Sequence, residues 1–138
     1  MKNIYPVFFT KTETIVLVEV PDLEILTEGT DMVNAVEMAR DAIELKCVSM
    51  EDDQMEIPLP SDIGTLNVND GTFAGEGVTV VSLVDIDSGA YRRKIDTKSV
   101  RKNVTIPSWL NYEAEQAGIN VSRILQEALM NVLNVQRQ

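Results

Sequence analysis

The chain has 138 residues, 44% of them hydrophobic and 25% charged, with a formal net charge of −10. This composition is globular rather than disordered, and the length suits one ordinary domain or one domain plus a small module. One cysteine and no histidine exclude Ser-His-Asp and Cys-His catalysis, an imidazole general base, and a zinc site built on histidine or thiolates.

No run approaches the roughly 18 consecutive apolar residues that a membrane span needs. The segment Met1 to Pro6 leads straight into a strand-like stretch without a signal-peptide pattern. The expectation is a cytoplasmic, reducing location, no contact with membrane, and Cys47 as a buried, inert thiol.

Taken in order, Ile4 to Phe9 reads as a strand, with Pro6 arguing for an edge position or an irregular start. Thr14 to Val20 is β-branched and apolar, a second strand, and Lys11 to Glu13 between the two has hairpin length. Pro21 and Asp22 end that strand, Leu23 to Leu26 adds a short third, and Gly29 turns the chain. Thr30 or Asp31 can cap a helix over Asp31 to Val48. Its apolar face is Met32, Ala35, Val36, Ala39, Ala42, Ile43, and Leu45 or Cys47.

Residues 51 to 60 form a loop, because Pro58 and Pro60 forbid helix and central strand. Asn69 to Gly71 signals a turn. Val78 to Val84 is the strongest strand of the chain and is expected at the centre of its sheet. Asp85 to Lys98 is polar and aperiodic and reads as a linker. A sheet of three or four strands with one helix on it is an α+β layer whose second face needs a cover.

Charge is distributed unevenly. Residues 1–90 carry 18 Asp/Glu and 4 Lys/Arg, net −14; residues 91–138 carry 4 and 8, net +4. Such asymmetry points to a polyanion as the partner of the basic end, while the acidic end fits either a basic partner or solubility alone. Arg92, Arg93, Lys94, Lys98, Arg101 and Lys102 crowd into eleven residues. Along the strand they suit phosphate approach; for Arg92 to Lys94 a solvated linker fits equally well.

In Val100 to Ile106 the even positions Val100, Lys102, Val104 and Ile106 are mostly apolar, and the odd positions Arg101, Asn103 and Thr105 are all polar. Side chains alternate across a strand, so the polar trio shares one face. Arg pairs with guanine, Asn with adenine, and Thr bonds either or touches a thymine methyl; a half-buried strand facing water is the plainer reading of the same pattern. Lys102 departs from the apolar face and is expected to snorkel to the strand end and meet the phosphate backbone.

Pro107 suits a first helical position. A helix with apolar Trp109, Leu110, Ala114 and Ala117 follows and ends at Gly118, over which Ile119 can fold back. Asn120 caps a second helix with apolar Val121, Ile124, Leu125, Ala128, Leu129, Val132 and Leu133. The start of that helix, Asn120, Val121, Ser122 and Arg123, is a natural phosphate site. A strand and two helices are too little to bury a core alone, so this module is expected to pair with its own copy. The dimer core would hold Val104, Ile106, Trp109, Ile124, Leu125, Ala128 and Leu129.

Strand, helix, glycine break and helix over Val100 to Val135 resembles the ribbon-helix-helix repressors. That resemblance implies two strands paired antiparallel in the major groove, with Arg101, Asn103 and Thr105 reading bases. Upstream, Tyr5-Pro6, Val20 to Leu23, Thr27 to Gly29, the Ala-rich stretch Asn34 to Ala39, and Ile57 to Ser61 resemble the HicB antitoxins, so the match spans nearly the whole chain. It departs where that family usually has Gly-Cys after Pro-Asp-Leu, since Glu24-Ile25-Leu26 stands there.

The implied fold is α+β: a partial ribonuclease-H-like β-β-β-α-β domain over residues 1–88, a linker over 89–98, and a ribbon-helix-helix (β-α-α) domain over 99–138. The resemblance implies a non-catalytic protein without cofactor that neutralises a HicA-type ribonuclease toxin. It further implies repression of its own operon by binding operator DNA as a dimer or higher homo-oligomer. The toxin-contacting residues stay unassigned. Two competing readings remain. One is a ribbon-helix-helix repressor whose N-terminal domain senses a small molecule. The other is an active nuclease, for which Asp85 with Asp87, or Asp52 with Asp53, are the close carboxylate pairs of interest.

Overall fold

The computed structural model describes residues 1–96 and 98–135. Contacts divide the chain into two compact units, 1–97 and 98–138. By sequence the first carries 19 acidic and 7 basic residues, net −12; the second carries 3 and 5, net +2.

The first unit runs β1 (Lys2–Lys11), β2 (Val16–Val20), β3 (Ile25–Gly29), α1 (Met32–Asp52), β4 (Val78–Asp87) and α2 (Ser88–Ile95). Its sheet has the order β3-β2-β1-β4 with every pair antiparallel. The β-β-β-α-β succession is the expected one. One face of each strand supplies the core: Tyr5, Val7 and Phe9 from β1, Val16, Val18 and Val20 from β2, and Val84 and Ile86 from β4. Over them lies the α1 stripe Ala35, Ala39, Ile43 and Cys47, each four residues from the next and fully buried. Cys47 rather than Leu45 faces inward, and Met32 and Leu45 are exposed. Asp31 is the cap, its carboxylate accepting from the Asn34 amide at 2.7 Å. The stripe begins with alanines because β3 arrives close: a Cβ on Gly29 would stand 2.4 Å from the Ala35 nitrogen.

Two strand positions differ from expectation. β4 is an edge strand, not a central one, because the β1-β2-β3 meander fills one side of β1 and leaves only its far flank for β4. A β-branched apolar run reports side-chain environment, not the number of neighbouring strands. Conversely β1, the strand with Pro6, is internal. Its ladder to β2 starts only at Phe8, whereas its ladder to β4 runs from Lys2 to Lys11. Pro6 therefore sits where β1 has a neighbour on one side, and its missing N–H costs no ladder bond on the other.

The second sheet face is covered by the segment that follows α1. Phe8 is buried there, near Gly71. Three polar clamps hold this segment. The Tyr5 hydroxyl donates to the Pro58 carbonyl at 2.8 Å. Asp22 accepts from the Ser61 amide and hydroxyl at 2.9 and 2.5 Å. Glu19 accepts from the Thr72 amide and hydroxyl at 2.8 and 2.6 Å.

The stretch expected as an irregular linker over 89–98 is largely helical, since α2 occupies Ser88–Ile95. Asp87 caps α2 by accepting from the Ala90 amide at 3.1 Å. Arg92 then donates to Glu51 at 3.0 Å and Asp52 at 2.9 Å, binding α2 to the C-terminal end of α1.

In the second unit α3 spans Ser108–Gln116 and α4 spans Val121–Leu133. No strand forms in the segment expected as one, Val100 to Ile106. A strand is defined by the ladder it makes, and within one chain this segment meets no partner strand. Pro107 stands at the cap of α3 rather than at its first helical position.

Candidate functional site

Local sequence builds the frame of the second unit. Gly118 adopts φ +66, the Gly118 amide donates to the Glu115 carbonyl, and the Ile119 amide reaches back to the Ala114 carbonyl. This closes α3 with a glycine-dependent left-handed turn. Asn120 then opens α4, its side-chain oxygen accepting from the Arg123 amide at 3.1 Å and its carbonyl accepting from Ile124. Capping leaves the amides of Val121 and Ser122 ahead of the first intrahelical bond, where an anion is favoured. Arg123 beside them is held by Glu127 at 3.1 Å, both side chains well exposed. An exposed i,i+4 pair is weak enough to exchange for a phosphate.

Arg101, Lys102, Asn103 and Thr105 are all exposed. The chain places them consecutively before α3, as the sequence requires. The apolar residues expected in a dimer core are as bare: Trp109 is 68% exposed, Ile124 50%, Leu129 49%, and Val104, Ile106 and Ala128 are exposed as well. Leu125 is half-buried. No described residue of this unit is buried.

The acidic unit has a different character. Its outer α1 face carries Glu37, Asp41 and Glu44 along a groove against α2, opposite Tyr91 and Lys94. Burial raises the Glu44 carboxyl above its ordinary range, against the opposing pull of a backbone hydrogen bond at Asp87. A second groove of about 500 Å³ lies between the Pro21–Leu23 turn and the end of α1, with Leu23, Met50, Met55 and Pro58 inside and Asp22, Glu24 and Asp53 among its lining. Glu24 there takes a left-handed backbone, φ 54. Cys47 is buried against the sheet, and desolvation first, with Glu51 adding, pushes its thiol up, which favours the unreactive form.

Three of the four carboxylates weighed for nuclease chemistry have other duties. Asp85 pairs with Arg40 at 3.0 Å, Asp87 caps α2, and Asp52 pairs with Arg92. Among the described residues no group of three or more His, Cys, Asp or Glu side chains is disposed to hold a metal ion. No helix among them is long and apolar enough to cross a membrane.

Sequence reasoning missed the Arg92 clamp. A signal was present in Asp87-Ser88-Gly89, a helix cap followed by a short helix, but Gly89 and the brevity of α2 hid it. Arg92 belongs to the acidic unit, and its two carboxylates take the place offered to phosphate.

An α+β layer with an acidic surface is thus followed in the chain by a basic unit of two short helices with bare apolar faces. The family model for the HicB-like antitoxins of bacterial toxin-antitoxin systems matches residues 5–128, and the chain belongs to that family. Its fold is similar to a chain of a toxin-antitoxin complex from Streptococcus pneumoniae, with 25% identity, TM-score 0.59, and coverage of 95% of this chain and 99% of that one. It also resembles the antitoxin HicB of Burkholderia pseudomallei, with 23% identity, TM-score 0.51, and coverage of 96% and 97%. A chain of the HicA3 and HicB3 toxin-antitoxin complex matches at 23% identity and TM-score 0.50, over 61% of this chain and 98% of that one. No curated protein matches the sequence.

Proposed function

We propose that this protein is a non-enzymatic antitoxin and autorepressor. Its acidic unit binds and occludes a HicA-type, RNA-cleaving toxin, and its C-terminal unit dimerises and binds operator DNA. Family membership over residues 5–128 carries the antitoxin part. A toxin that grips RNA needs a basic surface, and a unit of net −12 attracts such a surface and speeds encounter. The partial ribonuclease-H-like character belongs to the same reading, as a nuclease-like layer that serves binding.

For the DNA part, the carrying observation is a unit with bare apolar helix faces and an exposed run Arg101 to Thr105. In the proposed dimer, Val100 to Ile106 pairs with its copy, supplying the ladder that the single chain lacks. Val104, Ile106, Trp109, Ile124, Leu125, Ala128 and Leu129 then become core. Arg101, Asn103 and Thr105 read bases, while Lys102 and the α4 start from Asn120 to Arg123 hold phosphates. The proposed division of labour is 1–88 for toxin and 99–138 for DNA, with the α2 region between.

Co-expression with the small neighbouring reading frame tests the antitoxin claim. Rescue of growth and a co-purifying complex are expected; unrelieved toxicity, or no complex, would sink it. Operator binding that survives alanine at Arg101, Asn103 and Thr105 together would refute the ribbon assignment.

A further inference from the structure

The free edge of β4 is the unexplained feature of the acidic unit. Native proteins blunt long edge strands with lysine, proline, bulges or a covering segment, because an open row of N–H and C=O groups recruits other strands. Val78 to Val84 contains no Lys and no Pro. All ten residues of β4 pair with β1 in unbroken register, so no bulge turns it away. Its apolar side chains are half bare: Val80 is 51% exposed and Leu83 46%.

Arg40 closes one end of this edge. Asp85 lies opposite Ile4, on the sheet face away from the α1 core, yet Arg40 of α1 donates to both its carboxylate (3.0 Å) and its carbonyl (3.1 Å). The guanidinium reaches round the outer flank of β4, so the Asp85 carbonyl points outward. In an antiparallel strand alternate residues point the same way, so Thr79, Val81 and Leu83 also offer their backbone groups outward. Among the described residues no turn, loop or helix donates or accepts a backbone hydrogen bond along Val78 to Val84.

We propose that this edge is an interface with a second copy of the chain, in which β4 pairs antiparallel with its counterpart about a two-fold axis at Ser82. That register sets Val81 opposite the second copy's Leu83 as a doubly hydrogen-bonded pair, and Val80 opposite its Val84. Every half-bare apolar residue of the segment gains an apolar partner. The strand's only charges, Asp85 and Asp87, lie at one end. Antiparallel pairing sends the two copies of Asp85 to opposite ends, six residues apart along the ribbon, or about 20 Å at about 3.3 Å per residue. That exceeds the screening length of about 8 Å at physiological salt, so the acidity of the unit does not oppose pairing here. The interface is separate from the proposed C-terminal dimer, and two distinct self-interfaces on one chain build a higher homo-oligomer.

The axis residue supplies the test. Directly opposite residues in a non-hydrogen-bonded antiparallel pair stand about 4.5 Å apart at Cα, inside the range a disulfide spans. Full-length Ser82→Cys should therefore form a disulfide-linked dimer under mild oxidation, as the major band on a non-reducing gel. The same substitution at Thr14, exposed in the hairpin turn, should stay monomeric, as should the parent chain with its buried Cys47. Adding Leu129→Glu to disrupt the C-terminal helices should leave the Ser82→Cys product in place; adding Val81→Lys and Leu83→Lys should abolish it. Cross-linking of Ser82→Cys no greater than that of Thr14→Cys would overturn the proposal. If, in addition, Val81→Lys with Leu83→Lys abolished toxin co-purification, the edge would belong to a partner's strand instead. Toxin rescue and operator binding are read in separate assays, so failure here is distinct from failure of the antitoxin reading.

Discussion

The acidic unit buries Tyr5, Phe9, Val18 and Ile43 within one chain, whereas the C-terminal unit buries none of its described residues. Yet α4 is the more clearly two-faced of the long helices in sequence, and its termini are fully capped by Asn120 and by Asn134 in the left-handed conformation. The difference lies in what each amphipathic face has to meet. α1 has a sheet; α3 and α4 bury no residue between them. Each large apolar side chain left bare forgoes about 1.5–3 kcal/mol of burial. Good local structure without a covering surface supports the proposed pairing of this unit with a second copy.

The sharpest way to break this contrast is Leu129→Glu. If α4 helps form a dimer core, a charge there should remove the C-terminal association in sedimentation, leaving only the pair proposed at β4, and lower operator affinity by more than a hundredfold, while the acidic unit stays folded. Ile43→Ala should do the reverse. A cavity under α1 is expected to cost about 2–5 kcal/mol, seen as an earlier denaturant midpoint for the acidic unit with operator binding retained. Equal loss of operator binding in both variants would erase the distinction between the units.

A smaller effect is expected of Arg101→Ala. It should relax base preference at one operator position at a cost of about 1–3 kcal/mol, without changing the oligomer, as read by binding to a panel of single-base operator variants.

Tyr5 sharpens the account of the acidic core. Burial first, with Cys47 beside it, pushes its hydroxyl up to about 12, against an ordinary value near 10. The unfolded chain ionises first, so the stability tied to the neutral hydroxyl is intact below about pH 10 and is lost as pH rises toward 12. Tyr5→Phe removes this titration and the bond to Pro58, and should show a shallower decline in melting temperature over that window than the parent.

The smallest effect is expected at Glu24. Its left-handed backbone stands at the point where the HicB-like pattern usually has glycine, and a left-handed non-glycine residue costs about 1–2 kcal/mol. Glu24→Gly should stabilise the acidic unit by up to about 1 kcal/mol after its added unfolded-state entropy, measured by chemical denaturation.

Much of the local structure was legible in sequence. The cap at Asp31, the Gly118 break, the Asn120 cap and the helical spacing of Ala35, Ala39 and Ile43 all follow from preferences acting within a turn or two of chain. The limits of α1 and β1 extended beyond expectation, by four and two residues at their C-terminal ends, because packing prolongs elements past their own signals. The left-handed requirement at Glu24 was invisible, since glutamate gives no sign of positive φ.

Composition, charge division and periodicity thus determined by themselves that this is an acidic α+β layer followed by a basic pair of helices, with no imidazole chemistry. Those properties are sums over the chain or patterns of period two and 3.6, and need no knowledge of distant neighbours. Tertiary structure alone decided that β1 is internal despite Pro6, that β4 lies at the edge, that Arg40 crosses that edge, and that Arg92 fastens α2 to α1. Each of these depends on which distant segments meet, and that is set by the competition among all apolar faces for cover.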